Sequence, residues 1–143
     1  MQYVDTSVLV AYLVDETYSE QANQALREEN RYPLAISLWT ETEFFSALGI
    51  KCRTKQITEI QWLAVQEKYF LLKTHFDWLS VTDSDYLTAI ELLKHWQTGL
   101  RAGDALHIAI ANRHNALLLS LDKRLVIAAK QLGMVAECLN QTA

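Results

Sequence analysis

A parallel α/β fold is predicted by a stretch near the start of the chain, QYVDTSVLVAYLV at residues 2–14. Gln2-Tyr3-Val4 is a strand candidate, Asp5 follows it directly, and the apolar run from Ser7 to Val14 is long enough for a helix. Similar short apolar strand candidates recur at residues 34–37, 78–81, 117–120 and 134–136. Such strands, separated by helices, indicate a parallel sheet covered on both faces. We therefore expect an α/β fold, a three-layer α/β/α sandwich with a short parallel sheet.

Capping signals mark several helix boundaries. Thr58 to Gln61 has the spacing of a capping box and opens a helix that extends to about His75. Asp83 or Ser84 can cap the next helix. Further helices are predicted at residues 18–31, 40–53, 102–114 and 123–132. Each strand candidate is therefore joined to the next through at least one helix, as parallel strands require.

The composition is that of one globular domain. The 143 residues are 50% hydrophobic and 21% charged, with four glycines and one proline. This content argues against disorder, collagen-like repeats and a flexible linker between two halves. No window reaches the ~18 apolar residues that a membrane span needs. We expect a single domain over residues 1–143, located in the cytoplasm and without a membrane partner.

Cysteine and charge counts exclude further classes of site. Cys52 and Cys138 are far apart in sequence, which excludes a zinc knuckle and a CxxC redox pair, and we expect two buried free thiols. Asp and Glu outnumber Lys and Arg by 17 to 13, a net charge of −4. That sign is wrong for a protein that binds nucleic acid by bulk attraction to phosphates.

Three carboxylates are expected at one edge of the predicted sheet. Asp5 follows the first strand, Glu43 lies about six residues after the second, and Asp122 follows the fourth. Right-handed crossovers place the C-terminal ends of parallel strands at one edge, where ligands bind in open sheets. Asp104 is added to this group only by inference. Its helix follows another helix rather than a strand, so the strand crossovers do not place it at this edge. Two further acids follow the third strand and compete for the same role, Asp83 and Asp85.

Each acid also has a purely structural explanation. Asp5 and Asp122 can be helix N-caps, whose side chains accept backbone N–H groups. Asp104 can complement the macrodipole of its helix. Glu43 can close a capping box with Thr40, three residues earlier.

Convergent carboxylates need protons or a cation. Two carboxylates about 4–5 Å apart repel by about 3–4 kcal/mol at an effective dielectric constant near 20, and four compound the cost. Oxygen ligands without His or thiolate neighbours favour Mg²⁺ or Mn²⁺, whose coordination is usually completed by substrate phosphate. Metal-assisted phosphodiester cleavage is the chemistry that such a site suits.

Four blocks of the sequence carry a family resemblance: VDTS at residues 4–7, EFFSAL at 43–48, LRAGDALHIAIA at 100–111 and LSLDKRL at 119–125. In this order and spacing they resemble the PIN domain family, and more narrowly the VapC ribonuclease toxins of bacterial and archaeal toxin–antitoxin pairs. The resemblance covers essentially the whole chain. It implies a metal-dependent endoribonuclease that is the toxin component of such a pair.

The resemblance also implies which residues carry the activity and what they bind. It places the catalytic, metal-binding acids at Asp5, Glu43, Asp104 and Asp122, and decides against Asp83 and Asp85. It implies the sheet order 3-2-1-4-5, Mg²⁺ or Mn²⁺ as cofactor, RNA as substrate, a homodimer, and a cognate VapB-like antitoxin whose C-terminal segment lies in the active-site groove. Ser7 stands where the family has Asn or Ser, and Ser120 stands where the family usually has Thr. Either hydroxyl can still hydrogen-bond a carboxylate or water.

Two residues near these acids, Glu41 and His107, are further candidates for the site. Glu41 and Glu43 cannot both enter one site, because residues two apart on a helix point about 200° apart. His107 shares a helix face with Asp104, which permits a role beside the metal site or on RNA. A packing role is more common for such a histidine, and we place it outside the site.

Basic residues adjoin the four blocks, namely Lys51, Arg53, Lys55, Arg101, Lys123 and Arg124. They either bracket an RNA groove or are solvated helix ends. Removing the four acids of the proposed site from the 17 acidic residues leaves 13, equal to the Lys and Arg count. We therefore expect RNA binding to depend on the cation.

Two other functions are compatible with parts of the sequence. The main alternative is a non-catalytic PIN-like module that binds RNA or protein, which the presence of all four acids disfavours. A phosphatase of the haloacid dehalogenase type is less compatible, because it needs Asp-x-Asp where this chain has Asp5-Thr6-Ser7. The glycines form neither a dinucleotide fingerprint nor a phosphate loop.

Overall fold

The computed structural model of the chain describes residues 1–14, 17–27 and 33–140. Its strands and helices are, in chain order, β1 (Gln2–Val4), α1 (Thr6–Leu13), α2 (Ser19–Arg27), β2 (Leu34–Ser37), α3 (Leu38–Arg53), α4 (Glu59–Leu72), β3 (Asp77–Leu79), α5 (Asp83–Leu93), α6 (Ala102–Arg113), β4 (Leu117–Ser120), α7 (Lys123–Gln131) and β5 (Ala136–Cys138). Short 3-10 turns follow α4 and α5, at Lys73–His75 and Trp96–Thr98. Residues 28–31 of the helix expected at 18–31 lie outside the described residues.

The strands form one parallel sheet in the order β3-β2-β1-β4-β5, as expected. β1 is central, and Tyr3 pairs with Ala35 of β2 on one side and with Leu118 of β4 on the other. The order in which strands are added reverses at β1, and because all the strands are parallel, the C-terminal ends of β1, β2 and β4 adjoin at one edge. That edge is where an open α/β sheet binds its ligands.

Helices cover both faces of the sheet. Because side chains alternate along a strand, Tyr3 is buried in one core and Val4 in the other. The first core takes apolar side chains from α5, α6 and α7, and the second takes them from α1, α3 and α4. This confirms the three-layer α/β/α arrangement.

Side-chain caps set the starts of the long helices. Thr58 and Gln61 form the expected capping box at α4. The helix expected from Thr40 begins two residues earlier, at Leu38, because Ser37 is its N-cap and forms the capping box with Thr40. The alternative in which Thr40 caps the helix with Glu43 is therefore wrong.

The cap of α5 also differs from the expectation. Neither Asp83 nor Ser84 is the cap; Thr82 is, and its backbone N–H donates to Oδ2 of Asp85 at 2.9 Å. The acid three residues inside the helix thus reaches back to the N-cap backbone, as in other capping boxes.

The outer strands are shifted against their predicted bounds. β3 covers residues 77–79 rather than 78–81, because its partner strand β2 ends at Ser37, opposite Leu79. β5 covers residues 136–138 rather than 134–136. Gly133, at φ +77°, turns the chain at the end of α7, and Met134 N–H then donates to the carbonyl oxygen of Ala129 at 2.8 Å. Met134 therefore belongs to the C-terminal turn of α7, and β5 starts later.

The two thiols are both free, but only Cys138 is buried, whereas Cys52 is half-buried. Within the described ranges, every helix is too short or too polar to cross a bilayer.

Candidate metal centre

Asp5 is a buried acid at the C-terminal end of β1. It is the N-cap of α1, and its Oδ1 accepts hydrogen bonds from Ser7 Oγ at 2.5 Å and from Val8 N–H at 3.2 Å. The carboxylate is only 3% exposed. Burial raises the pKa of Asp5, and the nearby His107, Ser120 and Ser7 offset part of that shift. The capping role is therefore real, and it coincides with a position at the edge of the sheet.

Glu43 approaches the same edge from the second turn of α3. Its Oε1 accepts from Thr6 Oγ1 at 2.7 Å and from His107 Nε2. Burial raises the pKa of Glu43, but the bonds from His107 and Thr6 outweigh burial and leave the pKa below its ordinary value. Glu43 is therefore held as an ionised carboxylate.

A glycine makes room for this carboxylate. A methyl group placed on Gly103 would come within 2.7 Å of Glu43 Oε2 and 3.4 Å of the Trp39 ring. Trp39 Nε1 also donates to the Gly103 carbonyl at 3.2 Å. The glycine before Asp104 in the third sequence block is explained by this close approach.

Asp104 could not be placed by topology, and the structure brings it to the other acids. It lies in the first turn of α6 and is half-buried. Burial raises the pKa of Asp104 to about 6, with further increases from the negative charges of Asp122, Asp5 and Glu43, opposed by His107. The four acids, drawn from four separate segments, therefore share one electrostatic environment.

Asp122 is the exposed member of this group. It is the N-cap of α7, and its Oδ1 accepts from the backbone N–H of Arg124 at 2.9 Å and of Leu125 at 3.4 Å. Its own N–H donates to Ser120 Oγ at 2.9 Å. Asp122 lines an open cleft of about 430 Å³ together with Glu43 and Asp104.

The competing acids are held elsewhere. Asp85 is 1% exposed and ion-paired with Arg113, whose Nε lies 2.7 Å from Oδ1. Asp83 is exposed at the start of α5. Glu41 accepts from Tyr69 OH at 2.9 Å and Lys73 Nζ at 3.0 Å, on the far side of α3 from Glu43, as the helical spacing predicted.

His107, which the sequence analysis placed outside the site, contacts one of its acids. The ring is 2% exposed, Nε2 bonds to Glu43 Oε1, and Nδ1 lies 2.8 Å from Tyr3 OH. The signal that could have identified it was its position three residues after Asp104. Ser7 and Ser120 do hydrogen-bond carboxylate or backbone groups at this edge, as expected.

Two of the basic residues line the acidic cleft, Arg101 and Arg124. Lys51 and Arg53 lie in the last turn of α3, more than two helical turns beyond Glu43. The basic residues are therefore not one continuous rim around the acids.

Across residues 1–14, 17–27 and 33–140, no three His, Cys, Asp or Glu side chains form a ready group that could hold a metal ion. The donor chemistry nonetheless suits a hard divalent cation. The pKa of Asp104 is raised by burial and by the charges of the other three acids, so a cation would replace repulsion with attraction. Because Nε2 of His107 is engaged by Glu43, the available donors are carboxylate oxygens.

Comparison with known proteins agrees with this fold. The family model described as PIN domain matches residues 2–131. The chain belongs to the PIN domain family. Among curated proteins, none matches this PIN domain in sequence.

Solved structures show the same PIN fold at low sequence identity. FitAcB from Neisseria gonorrhoeae aligns with a TM-score of 0.73 at 14% identity, covering 99% of this chain and 100% of that one. VapC20 from Mycobacterium tuberculosis, described as a sarcin-ricin loop cleaving toxin, aligns at 0.71 and 19% identity, covering 94% and 97%. A toxin–antitoxin complex from Klebsiella pneumoniae contains a chain that aligns at 0.62 and 20% identity, covering 88% and 90%.

Proposed function

We propose that this PIN domain is a metal-dependent endoribonuclease and the toxin of a VapBC-type toxin–antitoxin pair. The observation that carries the proposal is the convergence of Asp5, Glu43, Asp104 and Asp122, with the pKa of Asp104 raised by burial and by the other three acids. Helix capping can explain a single carboxylate, but it does not require four of them to lie at one edge of the sheet.

Mg²⁺ or Mn²⁺ is the proposed cofactor, held by these four carboxylates. When bound, such a cation supplies activated water and stabilises the leaving oxygen of a phosphodiester. Thr6 and His107 hold Glu43 ionised, and Ser7 fixes one oxygen of Asp5. These contacts orient the carboxylates before substrate arrives.

RNA is the proposed substrate, and the cleft explains how an acidic protein could bind it. Arg101 and Arg124 line the cleft beside Asp104 and Asp122 and are placed to contact phosphates. The net charge of −4 equals the charge of the four acids, so the rest of the chain is neutral in sum, and one bound divalent cation would cancel half of the charge of the site.

A VapB-like antitoxin and a second copy of the chain are the proposed protein partners, and the cytoplasm is the proposed location. Structural neighbours come from toxin–antitoxin complexes. The chain also exposes large apolar side chains on α4 and α5, such as Ile60, Leu71 and Leu87, each more than 60% exposed.

The test is RNA cleavage by purified protein, freed of antitoxin and stripped with EDTA. We expect cleavage only after Mg²⁺ or Mn²⁺ is added, and none from Asp5→Ala or from the isosteric Asp104→Asn. Asp83→Asn is the matched control, because it removes an exposed acid outside the cleft and should cleave normally. Cleavage in excess EDTA, or full activity of Asp104→Asn, would contradict the proposal.

A further inference from the structure

A buried polar network connects the core of the sheet to Glu43. It begins at the Ser37–Thr40 capping box of α3, passes through the hydroxyl of Tyr3 on β1, and continues through His107 to Glu43. Tyr3 is fully buried and His107 is 2% exposed, so water cannot replace these contacts. The nuclease proposal uses only the last two members of this network, His107 and Glu43.

One arrangement of protons satisfies every member of the network. An ionised carboxylate only accepts, so the proton between Glu43 and His107 belongs to Nε2. If Nε2 carries the only ring proton, Nδ1 is left to accept, and the group that faces it at 2.8 Å, the hydroxyl of Tyr3, is able to donate.

The other end of the network satisfies Tyr3 in return. Ser37 Oγ accepts from Thr40 N–H at 3.3 Å, and Thr40 Oγ1 accepts from Ser37 N–H at 3.2 Å. Both hydroxyl protons therefore remain available, and the hydroxyl oxygens of Ser37 and Thr40 lie 2.8 Å and 3.1 Å from Tyr3 OH, whose oxygen can accept two bonds. In this arrangement the donors point in one direction, from the helix cap to Glu43.

The network also determines which oxygen of Glu43 faces the cleft. Thr6 and His107 both donate to Oε1, while Oε2 lies beside Gly103 at the cleft wall. The His107 ring is held between Tyr3 and Trp39, with ring centroids 5.6 Å and 6.4 Å away. Rotation of the imidazole would break the bond to Nδ1 and the bond to Oε1 together.

We infer that Tyr3 is a positioning residue of the metal centre: its hydroxyl holds His107 with the proton on Nε2, and His107 in turn presents Oε2 of Glu43 to the cation. The inference rests on the proposed function for the cation, whereas the tautomer of His107 can be measured without one. Tyr3 touches neither cation nor substrate and acts only through His107.

The experiment compares Tyr3→Phe with Tyr69→Phe in the full chain. Both substitutions remove one buried phenol hydroxyl, but Tyr69 bonds to Glu41, away from the cleft. Two quantities are measured: the His107 ring nitrogens by ¹⁵N NMR, and the affinity for Mn²⁺ by calorimetry. Neither depends on RNA cleavage.

We expect the wild type and Tyr69→Phe to show His107 protonated on Nε2 alone and to bind Mn²⁺ equally. Tyr3→Phe should show a mixture of tautomers and bind Mn²⁺ about tenfold more weakly, the loss typical of removing an outer-shell partner. Unchanged ¹⁵N shifts and Mn²⁺ affinity within twofold of Tyr69→Phe would overturn the inference, even if Tyr3→Phe were less stable.

A second pair of variants carries the test if Tyr3→Phe does not fold. His107→Gln keeps an N–H donor near the position of Nε2, whereas His107→Leu removes it. We expect His107→Gln to retain most of the Mn²⁺ affinity and His107→Leu to lose about tenfold; equal affinities would overturn the inference. A wild type that binds Mn²⁺ but cleaves no RNA would contradict the proposed function alone, and one that binds no Mn²⁺ would contradict both.

Discussion

Asp5 and Asp122 each cap a helix and also lie at the edge of the sheet where the acids gather. The sequence allowed these as alternative roles, and in the structure the capping geometry and the edge position coexist. An N-cap uses one carboxylate oxygen and sits directly after a strand, at the edge where parallel strands end. Capping is thus a way to fix a carboxylate at this edge.

Gly103 offers a test of the space around Glu43. Alanine at this helical position would ordinarily stabilise α6 by about 0.5–1 kcal/mol. Here its methyl group would meet Glu43 Oε2 at 2.7 Å, so the carboxylate must move. We expect Gly103→Ala to weaken Mn²⁺ binding, measured by calorimetry, without lowering the melting temperature by more than a few degrees.

The control for that substitution is Gly49→Ala in α3. Its new methyl group would meet only the flexible end of Arg53, at 3.1 Å. Mn²⁺ binding should be unchanged in Gly49→Ala. Equal Mn²⁺ affinity in Gly103→Ala and the wild type would show that Glu43 does not need its present position.

Asp104 makes stability depend on pH in the cation-free protein. Its pKa rises from 3.8 to about 6 on folding, mainly through burial and then through Asp122. The folded state therefore binds more protons than the unfolded state, and stability falls as pH rises from about 4 to about 6. Asp104→Asn removes this dependence and, after allowance for solvent exposure, should stabilise the protein by about 1 kcal/mol at pH 7.5 in EDTA.

Urea unfolding with and without Mn²⁺ checks this expectation. Mn²⁺ should stabilise the wild type and have little effect on Asp104→Asn, because binding to the folded state alone raises stability. A variant that is no more stable than the wild type in EDTA at pH 7.5 would show that Asp104 is not under repulsion.

At the scale of elements, most positions followed from the sequence because local signals mark them. Three acids could be placed because each follows a strand in a parallel sheet. The capping box at Thr58 could be predicted because its two residues are only three positions apart. Asp104 could not, because its place depends on how α6 packs after α5. The N-cap of α5, Thr82, was missed because Asp85, which completes its capping box, is also held by Arg113, 28 residues further along the chain.

The ion pair between Asp85 and Arg113 joins α5 to α6. Burial raises the pKa of Asp85, but the bonds from Arg113 outweigh burial and hold the pKa below its ordinary value. The pair's contribution is therefore present above the unfolded pKa near 3.9 and is lost as pH falls through the lower folded value. We expect Asp85→Asn to cost about 2 kcal/mol in urea unfolding at pH 7, less than a fully buried pair because Arg113 is partly exposed.

A second pair on the same helix provides the control. Lys94 and Glu91 are 2.7 Å apart, but their side chains are 66% and 68% exposed. Glu91→Gln should change stability by less than about 0.5 kcal/mol. Asp85→Asn should also leave Mn²⁺ affinity unchanged, and a loss of Mn²⁺ binding there would mean that the competing acid belongs to the site.

For the whole molecule, the α/β fold class and the location of Asp5, Glu43 and Asp122 followed from the alternation of strands and helices, whereas the role of His107 did not. The spacing of three residues after Asp104 was the one local signal, but the contact with Tyr3, more than 100 residues away, is visible only in the structure. The net charge of −4 is a similar case. It argues against RNA binding when the acids are spread over the surface, but not when four of them share one environment.

RNA binding should therefore depend on the cation. We expect RNA to bind more weakly in EDTA than with Ca²⁺, measured by fluorescence anisotropy at fixed ionic strength. In EDTA, Asp104→Asn should bind RNA more tightly than Asp83→Asn, although both remove one negative charge. Equal affinities would show that net charge, rather than its concentration at the cleft, controls RNA binding.

The central claim is that acids from four separate segments form one cation site, and Mn²⁺ calorimetry on EDTA-stripped protein tests it most directly. The comparison covers Asp5→Asn, Glu43→Gln, Asp104→Asn and Asp122→Asn, with Asp83→Asn as control. We predict saturable binding in the wild type and the control, and a loss of more than about tenfold in each of the four variants. No saturable binding in the wild type, or an equal loss in Asp83→Asn, would contradict the claim.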